Sequence, residues 1–149
     1  YEAAAYQFST HEVDLIELAT NKLHQMCMMI VEQVIDREQW DLFRIPPEFR
    51  RMVIRSWERD DPSLYGRFDL SYDGNGPAKL LEYNADTPTA VFETGVFQWK
   101  WLEDAKARRI VPKDADQFNS LHERLIAGWE DIGQGRGLHL AGALGKDMP

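Results

Sequence analysis

Two short runs of alternating apolar and polar residues flank Asp73-Gly74-Asn75-Gly76, and a chain so written is directed into a β-hairpin at that point. On the near side Arg67, Asp69 and Ser71 alternate with Phe68, Leu70 and Tyr72, which reads as a strand over 65–72. On the far side Lys79 to Asn84 reads as the return strand, and Pro77 removes a ladder donor only where that strand begins. Gly and Asn accept positive φ at small cost, so the turn is expected over Asp73–Gly76. A two-residue turn at Asn75-Gly76 sets Asp69 across from Glu82 and Arg67 across from Asn84. A four-residue loop sets Arg67 across from Glu82 instead. Under either register Arg67, Asp69, Glu82 and Asn84 share one face.

The rest of the chain has helical period. Ser9-Thr10-His11-Glu12 has the spacing of a capping box, and a long helix should follow to about Asp36. Its apolar stripe is Ile16, Ala19, Leu23, Met26, Cys27, Ile30 and Val34. Met26, Met28 and Met29 read as core filling rather than a soft-metal site. Pro46-Pro47 breaks the chain and starts a second helix, Glu48 to about Trp57, which Asp60-Asp61-Pro62-Ser63 ends. Thr87 is a good N-cap and Pro88 a good first helical residue. The helix they open should run to about Arg108, apolar nearly all round and therefore deeply packed. A last helix is expected from about Asp116 to Ile132, after which Leu138-His139-Leu140 reads as the opening of a strand. The fold class is α/β in the α+β sense: helices packed around an antiparallel hairpin.

Size and charge narrow the partners. A chain of 149 residues makes one domain or part of a larger one. Its formal net charge is −8, and the nearest thing to a basic face, Arg50, Arg51, Arg55 and Arg59, has the spacing of a solvated helix side. Nucleic acid is therefore not an expected partner. No apolar run approaches the roughly 20 residues of a membrane span, and the stretch from Tyr1 to Tyr6 does not read as a secretory signal. Cys27 is the sole cysteine, so no internal disulfide forms and a reducing, cytoplasmic setting is expected.

The chemistry concentrates on the hairpin face. Two facing carboxylates repel, and a fold keeps them when a divalent cation, a shared proton or an arginine returns the energy. Asp69, Glu82 and the Asn84 amide offer only oxygen ligands, which suits a hard cation such as Mg²⁺. Arg67 beside them suits phosphate or carboxylate oxygens, and the free amides of a helix starting near Thr87 would make an anion site. Ion pairing of Arg67 with Glu82 and of Asp69 with Lys79 explains the same residues on a solvated sheet face, and geometry leaves both readings open. A glycosidase acid/base pair fits less well, since Arg67 and Asn84 suit phosphate and metal better. His11, His24, His122 and His139 form no metal spacing, and Cys27 lies on a core stripe rather than in a nucleophile's setting.

Tyr65-Gly66-Arg67-Phe68-Asp69, followed by Leu80-Leu81-Glu82-Tyr83-Asn84-Ala85-Asp86-Thr87-Pro88, resembles the glutathionylspermidine synthase family. Leu23-His24-Gln25-Met26-Cys27, Phe43-Arg44-Ile45-Pro46, Asp61-Pro62-Ser63-Leu64-Tyr65, Gln98-Trp99 and Asp116-Gln117-Phe118-Asn119-Ser120-Leu121 extend the resemblance from about Tyr6 to Leu140. It implies the pre-ATP-grasp part of an ATP-grasp synthetase domain, with residues 1–149 as a partial domain from its N-terminal half. Such ligases activate a peptide carboxylate, that of glutathione, as an acyl phosphate for attack by a polyamine such as spermidine. The resemblance makes Asp69, Glu82 and Asn84 Mg²⁺ ligands, and Arg67 the catalytic residue that steadies the transferring phosphate of ATP. It places Thr87 and Thr89 near the substrate carboxylate. The family's nucleotide-clamping lysines lie further along than this chain reaches, so the 149 residues are expected to be inactive by themselves. A non-catalytic binding module with residual metal or peptide affinity is the other reading.

Overall fold

The computed structural model describes residues 5–85, 89–134 and 137. Helix α1 spans Thr10–Asp36 and α2 spans Pro47–Glu58, and strands β1, Arg67–Ser71, and β2, Lys79–Asn84, follow. A π-helical segment, Glu93–Phe97, runs into α3, Gln98–Ala107, and α4 is Leu121–Gly133. Thr87, Pro88 and Leu138–Leu140, to which the sequence assigned a cap and a strand, lie outside the described residues.

The capping box opens α1 as its spacing predicts. The Glu12 amide donates to Ser9 Oγ at 3.3 Å, and the Ser9 amide donates to Glu12 Oε2 at 2.7 Å. Pro47 occupies the first turn of α2, where a missing N–H costs nothing. Three helix ends share one device. Glu38, Asp60 and Arg109 adopt φ of 52°, 50° and 62°. The amides that follow reach back to Val34, Ser56 and Ala105, closing α1, α2 and α3 with Schellman motifs built on non-glycine residues.

The hairpin departs from its predicted turn. Arg67 pairs with Asn84, Phe68 with Tyr83 and Asp69 with Glu82, but Leu70 then pairs with Leu80 and Ser71 with Lys79. Leu81 is thus an extra residue, a bulge in β2. The connection occupies 72–78 rather than Asp73–Gly76. Its tip is an Asx-turn in which the Asn75 amide donates to Asp73 Oδ1 at 2.9 Å, beside Gly74 at φ +84°. An Asx-turn does not lead both strands directly into a tight ladder, and the bulge absorbs the difference. The first strand is also shorter than expected, because Tyr65 and Gly66 precede the ladder.

Two tyrosines tie the hairpin to α1. The Tyr72 hydroxyl donates to Glu12 Oε1 at 3.0 Å, and its ring stacks on Phe8 with centroids 6.0 Å apart. The Tyr83 hydroxyl shares a 2.9 Å hydrogen bond with His24 Nδ1. Glu12 and His24 are about 18 Å apart along the helix at 1.5 Å per residue, so the two ties are well separated.

Core material is sparse. Among the described residues the buried hydrophobics are Val34, Trp40, Leu102, Ala105 and Val111. Leu102, Ala105 and Val111 form one cluster, with Trp101 and Ala115 packed against it. The predicted stripe of α1 is only partly covered: Val34 is buried, while Met26 and Ile30 are each 50% exposed. The expectation of a deeply packed helix up to Arg108 is overturned, since Phe92, Phe97 and Trp99 are more than half exposed. The π turn explains why the segment is apolar all round without being buried all round. One inserted residue rotates the helical surface by about 100°, so apolar positions on its two sides fall on different faces.

The helix also starts later than Thr87–Pro88 suggested. Ala90 has φ 69°, a left-handed residue that no helix interior contains, and helical structure begins at Val91. The last helix begins at Leu121 instead of Asp116. The Asn119 amide turns away from the helix to donate to the Thr94 carbonyl at 3.4 Å. The arginines of α2 and of its C-cap behave as a solvated face, with Arg50 bonded to Asp41 at 2.8 Å and Arg59, just past the helix, to Asp61 at 2.7 Å. No described helix is long and apolar enough to cross a membrane.

Candidate functional site

Strand periodicity brings Arg67, Asp69, Glu82 and Asn84 to one face. Arg67 lies directly across from Asn84, and Asp69 directly across from Glu82. The bulge at Leu81 lies just beyond this quartet, so the register that matters is regular. Arg67, Asp69 and Asn84 are half-buried and Glu82 is exposed.

Arg67 organises the face. Its Nε donates to Asp69 Oδ1 at 2.8 Å and its Nη2 to Asp69 Oδ2 at 3.3 Å, a bidentate pair along one strand. Its Nη1 donates to Thr89 Oγ1 at 3.2 Å and to the Thr89 carbonyl at 3.3 Å. One guanidinium thus joins β1 to the segment that enters the π turn. The bond from Arg67 holds the Asp69 carboxyl below its usual range, and the same bond raises the Arg67 guanidinium. Both ends of this pair face solvent, so its net stabilisation is modest.

The sequence left Arg67 across from Asn84 or from Glu82 according to the turn, and the structure has it across from Asn84; neither register paired it with Asp69. The signal was present in the i, i+2 spacing, which puts two residues of one strand on one face. Thr89, assigned to the substrate carboxylate, stands beside Arg67, whereas Thr87 lies outside the described residues. Because helical structure begins at Val91, the anion site expected at a helix start near Thr87 is not formed by the described helix.

The oxygen donors suit a hard divalent cation in kind and would fill only part of its shell. Asp69 and Glu82 contribute carboxylates and Asn84 an amide oxygen, with the rest of the shell left to water or phosphate. The described residues hold no group of three or more His, Cys, Asp or Glu side chains placed for a metal. A cation held here would need further oxygens beyond the acidic side chains of the described residues. Asp69 accepts from Arg67 through both oxygens, yet each retains a further lone pair for a cation.

Behind the face, sequence analysis missed a linked set of residues. Phe68 and Tyr83 stack with centroids 4.0 Å apart at 18°. Tyr83 reaches His24, 59 positions away in sequence, and no local spacing announces that contact. Burial raises the Tyr83 hydroxyl above its usual value, and the Cys27 thiol adds to the effect.

Residues 1–147 match the family described as glutathionylspermidine synthase preATP-grasp. A Haemophilus influenzae protein bearing the provisional name acid–amine ligase is 41% identical over 133 residues, which is 89% of this chain and 33% of that protein. Trypanothione synthetase of Crithidia fasciculata is 36% identical over 101 residues, 66% of this chain and 16% of that protein. The bifunctional glutathionylspermidine synthetase/amidase of Escherichia coli is 35% identical over 94 residues, 62% of this chain and 15% of that protein. The chain spans about a third or less of the length of these curated relatives. With its mixed helices and two-stranded antiparallel sheet, the chain belongs to the glutathionylspermidine synthase pre-ATP-grasp family.

Proposed function

We propose that this chain is the cation- and phosphate-holding part of an ATP- and Mg²⁺-dependent acid–amine ligase. Such an enzyme joins a glutathione-like carboxylate to a polyamine such as spermidine, through an acyl phosphate. The observation that carries the reading is the four-residue hairpin face, with Asp69 across from Glu82 and Arg67 across from Asn84. Asp69, Glu82 and Asn84 are the residues that would hold Mg²⁺. Bound there, the ion would neutralise charge on the phosphate oxygens of ATP.

The chain's own residues supply the rest. Arg67 is held at a fixed angle by Asp69 and Thr89, so the orientation of its charge is set before substrate arrives. An Nη2 hydrogen beyond the one Asp69 accepts is available to a phosphate oxygen. The hydroxyls of Thr87 and Thr89 would receive the substrate carboxylate, which puts the acid to be activated next to Arg67. The Arg67–Asp69 ion pair also favours a second reading, a binding module without catalysis, because an arginine engaged by its neighbour has a structural role already.

Mn²⁺ calorimetry on the wild-type chain and on the Asp69→Ala/Glu82→Ala variant tests the site. Weak binding that the double substitution abolishes supports it, and equal heats rule out a shared cation. Activity is tested by ADP release with mass detection of the conjugate. The 149-residue chain should not ligate glutathione to a polyamine by itself, since it spans a third or less of its relatives' length and ligation needs ATP held in line with the carboxylate as well as its charge neutralised. In a longer polypeptide that contains this chain and does ligate, Arg67→Ala should lose about a hundredfold in rate. An unchanged rate would leave the hairpin face structural.

A further inference from the structure

Tyr83 stands between Glu82 and Asn84 in β2, so its side chain leaves the sheet on the face opposite theirs. Phe68 stands likewise between Arg67 and Asp69, directly across the ladder from Tyr83. Every member of the quartet is therefore a backbone neighbour of one of two stacked rings. A lone two-stranded hairpin is marginal in water and free to twist. The rings on its reverse side are what can fix that twist.

Tyr83 is held on three sides. Phe68 stacks on its ring at 4.0 Å. His24 of α1 meets it edge-on, with centroids 5.9 Å apart at 83°, and bonds its hydroxyl at 2.9 Å. The third side is the backbone of Gly66. A Cβ placed there would lie 2.8 Å from Tyr83 Cε2, 3.0 Å from its oxygen and 3.3 Å from Cζ. The ring thus occupies the space that any side chain at position 66 would need. Since α1 is a 27-residue helix capped at its start, His24 gives the ring a rigid reference.

We infer that Tyr83, fixed by His24 and by the bare backbone of Gly66, is a positioning residue for the Arg67–Asp69–Glu82–Asn84 face. It touches neither cation nor substrate and acts through the tilt of its own strand. Turning the Tyr83 backbone about the strand axis swings Glu82 and Asn84 the other way, and the ladder carries the motion to Asp69 and Arg67. The inference rests on the reading of that face as a cation and phosphate site, but one of its measurable consequences does not: the geometry of the Arg67–Asp69 bond.

The experiment uses the 149-residue chain, with two readouts on variants whose far-UV circular dichroism matches wild type. The first is solvent exchange of the Arg67 Nε hydrogen, which Asp69 protects, followed by proton–nitrogen NMR. The second is Mn²⁺ affinity by electron paramagnetic resonance. Tyr83→Phe keeps the stack and loses the bond to α1, and His24→Ala removes the same bond from the other side. Each should speed exchange and weaken Mn²⁺ binding by about fivefold or more, the scale of one lost hydrogen bond. His24→Gln, whose amide can bond the phenol, should restore both to within about twofold. Wild-type exchange and affinity in Tyr83→Phe and His24→Ala overturn the inference. So does a loss in His24→Ala that His24→Gln fails to restore. If the wild-type chain takes up no Mn²⁺, it is the cation reading that fails, and Arg67 exchange decides the positioning role by itself.

Discussion

Glu12 and Tyr72, sixty positions apart, share a 3.0 Å hydrogen bond in which the phenol donates to the same carboxylate that closes the helix cap. That carboxylate also accepts from the Ser9 amide and the Ser9 hydroxyl, each at 2.7 Å. One side chain thus ends a helix and moors the far end of β1. The bond from the Ser9 amide is the largest cause holding the Glu12 carboxyl below its usual value of 4.5, followed by those from the Ser9 hydroxyl and Tyr72.

A folded-state value below the unfolded one means the contribution is complete above pH 4.5 and is lost as pH falls through the lowered value. Glu12→Gln should therefore be less stable than wild type near pH 7, with the gap closing as pH falls below 4.5 and through the lowered value. Urea midpoints across that range measure it. A gap that stays constant would mean the carboxylate charge is irrelevant to the cap. Asp69, lowered by its bond from Arg67, adds an acid-sensitive increment of the same sign below its usual 3.8.

Ser9→Ala removes the hydroxyl that receives the Glu12 amide. The expected cost is about 1 kcal/mol, as for other N-cap losses. Thermal denaturation at neutral pH measures it, and Ser9→Thr should restore most of the loss because its hydroxyl can both accept from the Glu12 amide and donate to the Glu12 carboxylate.

Three glycines separate packing from propensity. At Gly66 the added methyl would meet the Tyr83 ring at 2.8 Å, and Gly66→Ala should cost about 1–3 kcal/mol. At Gly95 nothing lies within 4 Å, so Gly95→Ala should be neutral or stabilising by up to about 1 kcal/mol. Gly128 falls between them. Its neighbour at 2.8 Å is Leu64 Cδ1, the end of a flexible side chain that can turn aside, so helical propensity should nearly offset the crowding. The order of the three denaturation midpoints checks the argument, and Gly66→Ala being the mildest would refute it.

Glu38, Asp60 and Arg109 carry left-handed backbone without a glycine. Glu38→Gly and Arg109→Gly should each stabilise by about 0.5–1 kcal/mol once the added unfolded-state freedom is subtracted. Asp60→Gly should gain less, because Asp tolerates that conformation better. Losses in all three would mean these side chains have contacts that outweigh their backbone strain.

What could be read from the sequence was local or depended only on parity. The bounds of α1 follow from Ser9, Glu12 and the apolar stripe. The shared face of Arg67, Asp69, Glu82 and Asn84 follows from strand alternation under either register considered. The bulge at Leu81 was hidden because both registers assumed an unbroken ladder. The start of the helix at Val91 was hidden because nothing about Ala90 as a residue type announces φ 69°. The bond between His24 and Tyr83 depends on how α1 lies against the hairpin, and no pattern within either segment encodes that. Phe92, Phe97 and Trp99 looked like core because hydrophobicity reports what prefers burial, while the π turn decides which residues obtain it.

The extra residue at Leu81 separates the hairpin into two lengths of ladder that can change independently. Below it, Asp69 and Glu82 hold a fixed pairing; above it, Leu70 and Leu80 follow a different count. Material added or removed over 72–78 would be taken up at that seam before it reached the acidic face. The tip of the hairpin is thus a place where a lineage can lengthen the chain, or an engineer graft a reporter peptide between Asn75 and Gly76, while the chemistry one turn of ladder away keeps its registration.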